Sequence, residues 1–446
     1  MGNRHARYKK DITRLKVTIH NKYHRLIMEI KILGAAKEVG RSAFLVSNEN
    51  TNVLMDYGVL LKKEPQFPVH VKPKDVHAII LSHAHLDHSG FIPSLFASAS
   101  KLPVYSTNPT IELSQLLIED MIKISGFYLP FENIDLDKMI KCHKNLEYRQ
   151  PYNINDMFIT LYESGHVLGG STIVVENSGK RVFYTGDINT RGSQILRPAD
   201  LDIDEIHLMI IESTYSQTNQ TPRPQAEKEL LEFAYKIIDN GGTLFIPAFS
   251  VERAQEIACV LKANKFPHKI VMDGMALKVN EIMLKYPEYI RDPNVFRKYI
   301  EEVEWIKDWK RRKQMIREPC IIISPAGMLV GGSAIFYMQN IMMSEKNGIA
   351  LVSYQGENTP GRMLLDKGTF KVNGRIKKCL AEVKQFEFSG HNSRDELFEI
   401  LDSIKGNPKV LTVHGDGNSC IRFAEEINEK YGFDAIAPDH GDVFKI

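Results

Sequence analysis

The 446-residue sequence predicts an α/β protein: a sandwich of sheets flanked by helices, together with a doubly wound parallel-sheet domain. Three observations predict this. The length exceeds what one hydrophobic core usually serves, so two domains are expected, either in succession or one inserted in the other. From residue 28 to about 211, short apolar strands crowd together with a few helices between them, the pattern of packed sheet layers. From 225 to about 356, helix and strand alternate, as right-handed βαβ crossovers and a parallel sheet do.

The elements follow in chain order. Residues 1–27, MGNRHARYKKDITRLKVTIHNKYHRLI, carry many lysines and arginines and one acid, Asp11. A basic arm for nucleic acid and an extension outside the fold both suit such a run; because charge runs are weak motifs, the extension is preferred. IMEIKIL, SAFLVS, NVLMDYG, HAIILS, PVYST and FITLYES then read as strands, TIELSQLLIEDMIKI as a helix, and STIVVENSGKRVFYTGD as a hairpin turning on Asn177-Ser178-Gly179. Past Glu212, QAEKELLEFAYKIIDNGG is a helix with a glycine stop, and TLFIPAF, ERAQEIACVLKA, KIVMDG, CIIISPAG and IALVSYQG continue the alternation. After Ser389 come the helix SRDELFEILDSI, the strand KVLTVHGD, the helix SCIRFAEEINEKYG and a last strand. The divisions expected are 1–27, 28–210, 211–388 and 389–446.

Composition narrows the class. Lysine plus arginine total 57 against 55 acids, so any nucleic-acid surface must be a local basic patch. The five cysteines, Cys142, Cys259, Cys320, Cys379 and Cys420, form no C-x-x-C pair, which argues against thiolate metal sites and for a reducing compartment. No apolar run approaches a spanning helix and no signal peptide opens the chain. A soluble, cytoplasmic protein with no membrane partner is expected.

Chemistry concentrates in LSHAHLDHSG, residues 81–90, where His83, His85, Asp87 and His88 follow the apolar run VHAIIL. Metal-capable residues also close later strands: His166 in YESGHVLGG, Asp187 in FYTGDINTRG and His414 in LTVHGDG. Taken singly, each reads as a loop histidine or turn aspartate. Strand ends on one rim converge, however, and imidazole plus carboxylate is the ligand set of a catalytic zinc.

This constellation resembles the metallo-β-lactamase superfamily: H-x-H-x-D-H with His166 and Asp187 is its zinc signature, and Asp56 in VLMDYG is similar to its first, structural motif. Glu212 in LMIIESTY, His391 in FEFSGHNS and His414 resemble the motifs of its β-CASP nucleases, in which a histidine at the last position marks RNA-processing members. GHVLGGS is similar to the cleavage and polyadenylation specificity factor nuclease and its archaeal relatives, and with no KH domain ahead of it the chain resembles their short form. The resemblance implies the sandwich of a metallo-β-lactamase with an inserted β-CASP domain. It implies two zinc ions, one on His83, His85 and His166, the other on Asp87, His88 and His414, with Asp187 bridging. It implies single-stranded RNA as substrate and 5′-phosphate products, with Asp87 and Asp187 in the catalytic set, His391 as general acid and Glu212 orienting it.

Substrate contacts are expected at Ser389, Gly390 and Ser393 ahead of a helix whose free N–H groups favour phosphate, at Ser324, Gly327 and Gly332 in SPAGMLVGGSA, and at Ser250 in PAFSVERAQE. The segment IKDWKRRKQMIREP concentrates Lys307, Lys310, Arg311, Arg312, Lys313 and Arg317; a lone charge run of this kind is more often a solvated face, and on the inserted domain the other reading is a track for the RNA backbone. Endonuclease and 5′ to 3′ exonuclease of the ribonuclease J kind stay open, as do a homodimer and RNA-processing or exosome-type protein partners. The rival readings are a small-molecule hydrolase, which needs no inserted domain, a DNA nuclease, which departs at His414, and a non-catalytic subunit, which loses ligands.

Overall fold

The computed structural model describes residues 27–62, 64–99, 101–125 and 129–446. The basic N-terminal run therefore lies outside the described residues, apart from Ile27. The chain opens with β1 (Glu29–Ile32), β2 (Phe44–Ser47), β3 (Asn52–Met55), β4 (Ala78–Ile80), β5 (Val104–Ser106) and β6 (His143–Asn145), paired in that order in one sheet. A second sheet holds β7 (Tyr152–Ile154), β8 (Met157–Glu163), β9 (Ser171–Asn177), β10 (Lys180–Tyr184) and β11 (Leu208–Glu212). The expected hairpin joins β9 to β10, with Ser178 and Gly179 both at positive φ, the geometry of a tight two-residue turn.

Side-chain alternation explains how these sheets stack. Ile30, Ile32, Phe44, Val46, Val53 and Met55 face Ile159, Leu161, Ile173, Val175, Val182 and Ile210 across the sandwich. The alternate residues point outward under helices: Leu54, Ile79 and Val104 meet Ile118 and Met139, while Phe183, Met209 and Ile211 meet Leu397, Leu401, Phe423 and Ile427. Covering on both faces is why LMIIE of β11 is apolar until its last residue, which is a carboxylate.

The third sheet is the predicted parallel one. It contains β12 (Leu244–Pro247), β13 (Ile270–Met272), β14 (Glu304–Trp305), β15 (Ile321–Ser324) and β16 (Gly348–Leu351). After a hairpin of β17 (Thr369–Val372) and β18 (Arg375–Lys378), β19 (Glu382–Gln385) completes it in the order β14-β13-β15-β12-β16-β19, every pair parallel. Along β12, Leu244 and Ile246 turn to one apolar cluster and Phe245 to another, so both faces are covered, as in a doubly wound sheet.

Two expectations change. β11 runs to Glu212 inside the second sheet, so the change of sheet follows Glu212 rather than starting at 211. The chain also ends on two strands: after β20 (Lys409–Val413), β21 (Asp434–Ile436) extends the second sheet, whereas β22 (Val443–Lys445) pairs with β1 at the edge of the first. Among the described residues no helix is long and apolar enough to cross a membrane.

Candidate metal centre

Strand direction assembles the site. β10, β11 and β20 run parallel, and β8 shares their direction through two antiparallel steps, so all four end on one rim. Each is followed there by one of the predicted residues: His166 after β8, Asp187 after β10, Glu212 ending β11 and His414 after β20. From the facing sheet, β4 delivers His83 and His85, and the short helix Leu86–Ser89 presents Asp87 and His88. His391 precedes the helix Arg394–Ser403.

The seven predicted ligands form two sets that meet at Asp187: His83, His85 and His166 with it, and Asp87, His88 and His414 with it. Its two oxygens divide the sets. Oδ2 lies 3.4 Å from His83 Nε2 and 3.5 Å from His166 Nε2, whereas Oδ1 lies 3.3 Å from His88 Nε2 and 3.4 Å from His414 Nδ1. His166 Nε2 is 3.1 Å from His85 Nδ1, and His414 Nε2 is 3.2 Å from Asp87 Oδ2. Two donors at about 2.1 Å from a tetrahedral ion stand roughly 3.4 Å apart, so the observed spacing fits a metal in each set. Hydrogen bonding agrees: His83 Nε2 and Asp187 Oδ1 are buried with no hydrogen-bond partner.

The imidazoles are aimed by groups behind them. Asp56 is fully buried at φ +56°, a conformation costing about 1–3 kcal/mol that a surrounding network must hold. Its Oδ1 accepts Ser82 N–H (2.7 Å), and its Oδ2 accepts the Ser82 hydroxyl (2.7 Å) and the Tyr184 hydroxyl (2.9 Å). His88 Nδ1 lies 2.7 Å from the same Oδ2, which fixes the proton on Nδ1 and turns Nε2 to the cluster. His166 Nδ1 donates to the Gly390 carbonyl (2.8 Å) to the same effect. Ser82 and Tyr184 were not legible as site residues, and Gly390, expected as a substrate contact, was not legible as the group that aims His166. Ser82 adjoins the histidine run, but nothing in the sequence marks Tyr184 or a backbone oxygen.

Electrostatics separates the histidines. Burial holds His83, His85 and His166 below the usual imidazole range, His85 down to about 3, and the neutral form is the one that ligates. Burial opposes charge on His88 and His414 too, but Asp187 with Asp56 or Asp87 outweighs it, so these positions attract a positive charge, proton or metal. His391 Nδ1 donates to Glu212 Oε2 (2.8 Å), and its Nε2 points toward Asp187 Oδ2, 3.9 Å away. Burial again disfavours the imidazolium, but Glu212 and Asp187 hold it to about 9. Glu212 is itself fixed by Ile188 N–H (2.8 Å) and the Thr214 hydroxyl.

The proposed phosphate cradles differ from expectation. The backbone amides of Ser393, Arg394 and Asp395 bond Glu396, the Thr218 carbonyl and Asn219, so this helix start offers no free N–H groups there. Ser389 Oγ accepts His391 N–H (2.9 Å). Ser324 is fully buried against the Ser333 hydroxyl (2.5 Å), and the Gly327 carbonyl is taken by Gln355 (3.0 Å). Ser250 stays half-buried beyond β12, and Gly332 serves as the positive-φ cap of the helix Ser333–Ile341. In the basic segment, Arg311 binds Glu304 and Arg312 binds the buried Asp273 (2.6 and 2.8 Å), so neither guanidinium is free for RNA.

A metallo-beta-lactamase superfamily domain matches residues 45–225, a Beta-Casp domain residues 254–364, and a Zn-dependent metallo-hydrolase RNA specificity domain residues 378–438. The sequence is 34% identical over 415 residues to RNase aCSPSF2 of Saccharolobus solfataricus, covering 92% of this chain and 84% of that one. The chain belongs to the β-CASP family of the metallo-β-lactamase superfamily. Two further β-CASP relatives come from Methanocaldococcus jannaschii, each 33% identical over 94% of this chain: a probable RNase MJ4, matched over its full length, and the transcription termination factor FttA, matched over 72%. The Beta-Casp match covers β13 to β16 of the parallel sheet, and the RNA specificity match spans His391 and His414.

Proposed function

We propose that this protein is a two-zinc ribonuclease that hydrolyses phosphodiester bonds of single-stranded RNA and leaves a 5′ phosphate and a 3′ hydroxyl. The observation that carries it is the Glu212–His391 pair set 3.9 Å from the carboxylate that joins two ligand sets. A phosphodiester's leaving 3′ oxygen needs a proton, and this pair stands where it can give one. The relatives named as RNases, and the histidine at position 414, favour RNA over DNA.

His83, His85 and His166 would hold one zinc, Asp87, His88 and His414 the other, with Asp187 common to both. Bound there, the pair supplies Lewis acidity and brings the pKa of water to about 7. The chain's own residues do the rest. Asp56 and the Gly390 carbonyl fix the tautomers of His88 and His166, and Asp187 turns one oxygen to each set. His391 keeps a proton on Nε2, at the edge of the cluster, for the departing 3′ oxygen; Glu212 accepts its Nδ1–H, orients the ring and favours its charged form. Endonucleolytic and 5′ to 3′ exonucleolytic cutting both use this pair.

The test is metal analysis of the purified protein, followed by incubation with internally labelled RNA, the matching DNA, and lactam and thioester substrates. Zinc in near two-to-one ratio and chelator-sensitive RNA cleavage are expected, with product lengths over time separating endonuclease from exonuclease. Hydrolysis of the small substrates without RNA cleavage, or equal cutting of DNA, overturns the reading.

A further inference from the structure

Arg253 opens the helix Arg253–Ala263 of the inserted unit and, among the described residues, makes no ion pair and no side-chain hydrogen bond. Its surroundings explain why it stays unpaired. Glu256, one turn along, is bound by Arg223 and accepts Gln194 N–H (3.0 Å). Glu252, its other acidic neighbour, is pushed up to about 8 by burial and by Glu256, so it is largely neutral at pH 7. Burial brings Arg253 itself down only to about 10, so it stays a cation. A half-buried guanidinium with no carboxylate in contact is costly unless something anionic comes to it.

Its position says what comes. A Cβ built on Gly390 would lie 3.4 Å from Arg253 Nη2 and 3.1 Å from His166 Nδ1, so the guanidinium sits against the backbone next to His391 and beside a residue of the candidate metal centre. The chain is strained to put it there: Glu252, immediately before it, has φ +69°, and strain of this kind collects at functional positions. We propose that Arg253 grips a phosphate oxygen of the RNA strand next to the scissile bond, on the leaving-group side defined by His391. The inserted unit thus contributes a charged contact to a centre whose other members come from the sandwich strands and loops. Glycine at 390 also gains a reason, since a side chain there would press on both Arg253 and His166.

This proposal rests on the ribonuclease reading, and the experiment separates the two. Arg253→Ala and Arg253→Lys are compared with the unaltered protein for zinc content, melting temperature, kcat and KM on single-stranded RNA, and the salt dependence of RNA affinity. For Arg253→Ala we expect normal zinc content, a fall in kcat/KM on the order of 100-fold, a salt slope shallower by roughly 0.7, and partial rescue by added guanidinium ion. Arg253→Lys should lie between. Cleavage by Arg253→Ala within about threefold of the unaltered protein with an unchanged salt slope overturns the proposal, as does a loss without guanidinium rescue that tracks lowered zinc content or melting temperature. If the unaltered protein binds RNA without cutting it, the nuclease reading falls and the salt slope alone decides on Arg253. If it neither binds nor cuts, both fall.

Discussion

His391 is the residue where geometry and charge agree most closely on a role, because a proton donor must be both aimed and charged. If it protonates the leaving oxygen, His391→Ala should keep its zinc while kcat falls by roughly 10²- to 10⁴-fold; zinc lost in parallel would make it a ligand instead. Glu212→Gln tests the charge separately, since glutamine can still accept Nδ1–H. Its removal lowers the imidazolium's pKa from about 9, so the alkaline limb of kcat should move to lower pH; a limb that stays in place contradicts the role. The candidate metal ligands are unequal in a way the sequence did not show. Asp87 keeps 30% of its side chain exposed, so Asp87→Ala should abolish cleavage with little change in melting temperature. His88 is fully buried against Asp56, so His88→Ala should also unfold at lower temperature, because a buried acceptor loses a partner.

At the scale of elements, the ends of strands and helices decide what each charged side chain can do. Arg312 crosses from its helix to Asp273, which follows β13 and also takes the Tyr337 hydroxyl (2.6 Å). Arg312→Ala should therefore destabilise the fold by about 2–4 kcal/mol, read as a lower denaturation midpoint, through a stranded buried carboxylate rather than lost RNA binding. Glu252 makes a pH-dependent contribution of opposite sign to an ordinary surface acid. Its carboxyl holds its proton to about 8 in the fold but releases it near 4.5 when unfolded, so stability falls as pH rises between those values. Glu252→Gln removes that slope and should raise the melting temperature more at pH 8 than at pH 5; equal gains would show that the buried carboxyl does not hold its proton. These two positions show where sequence reading stops. The metal-capable residues were legible because each closes an apolar strand, and strand ends on one rim must converge. The partners of Arg311 and Arg312 were not, because Glu304 and Asp273 arrive from other strands, and a charge run does not reveal what it faces. Ser393 shows the reverse case: the Glu396 that pairs with it in a capping box lies in the same stretch, so that partner is readable from the S-x-x-E spacing alone.

Over the whole molecule, one apolar cluster joins the sandwich to the inserted unit: Ala84, Leu113, Val167 and Ile195 from the first pack with Leu230, Ile246, Ala258 and Phe388 of the second. Contact of this kind fixes one face of the inserted sheet against the metal centre and carries Arg253 to it. The basic segment packs on the other face, where Met315 joins Phe245 and Ile322, and it follows β14 at the sheet's edge. If the segment binds RNA, it does so through the part of the strand that runs past the centre along the inserted unit. Lys307, Lys310, Lys313 and Arg317 are its exposed cations, and none forms an ion pair among the described residues. Neutralising these four, rather than Arg311 or Arg312, should raise KM for long RNA with little change in kcat, the mark of lost uniform binding. The logarithm of affinity should become less steep in salt by roughly 0.7 for each phosphate contact removed. Oligonucleotides too short to extend past the centre should be cut at the unaltered rate. If KM and salt slope for long RNA stay unchanged, the segment is a solvated helix face and the RNA leaves along another path; if short oligonucleotides weaken equally, it acts on the centre's charge and not on the strand's course.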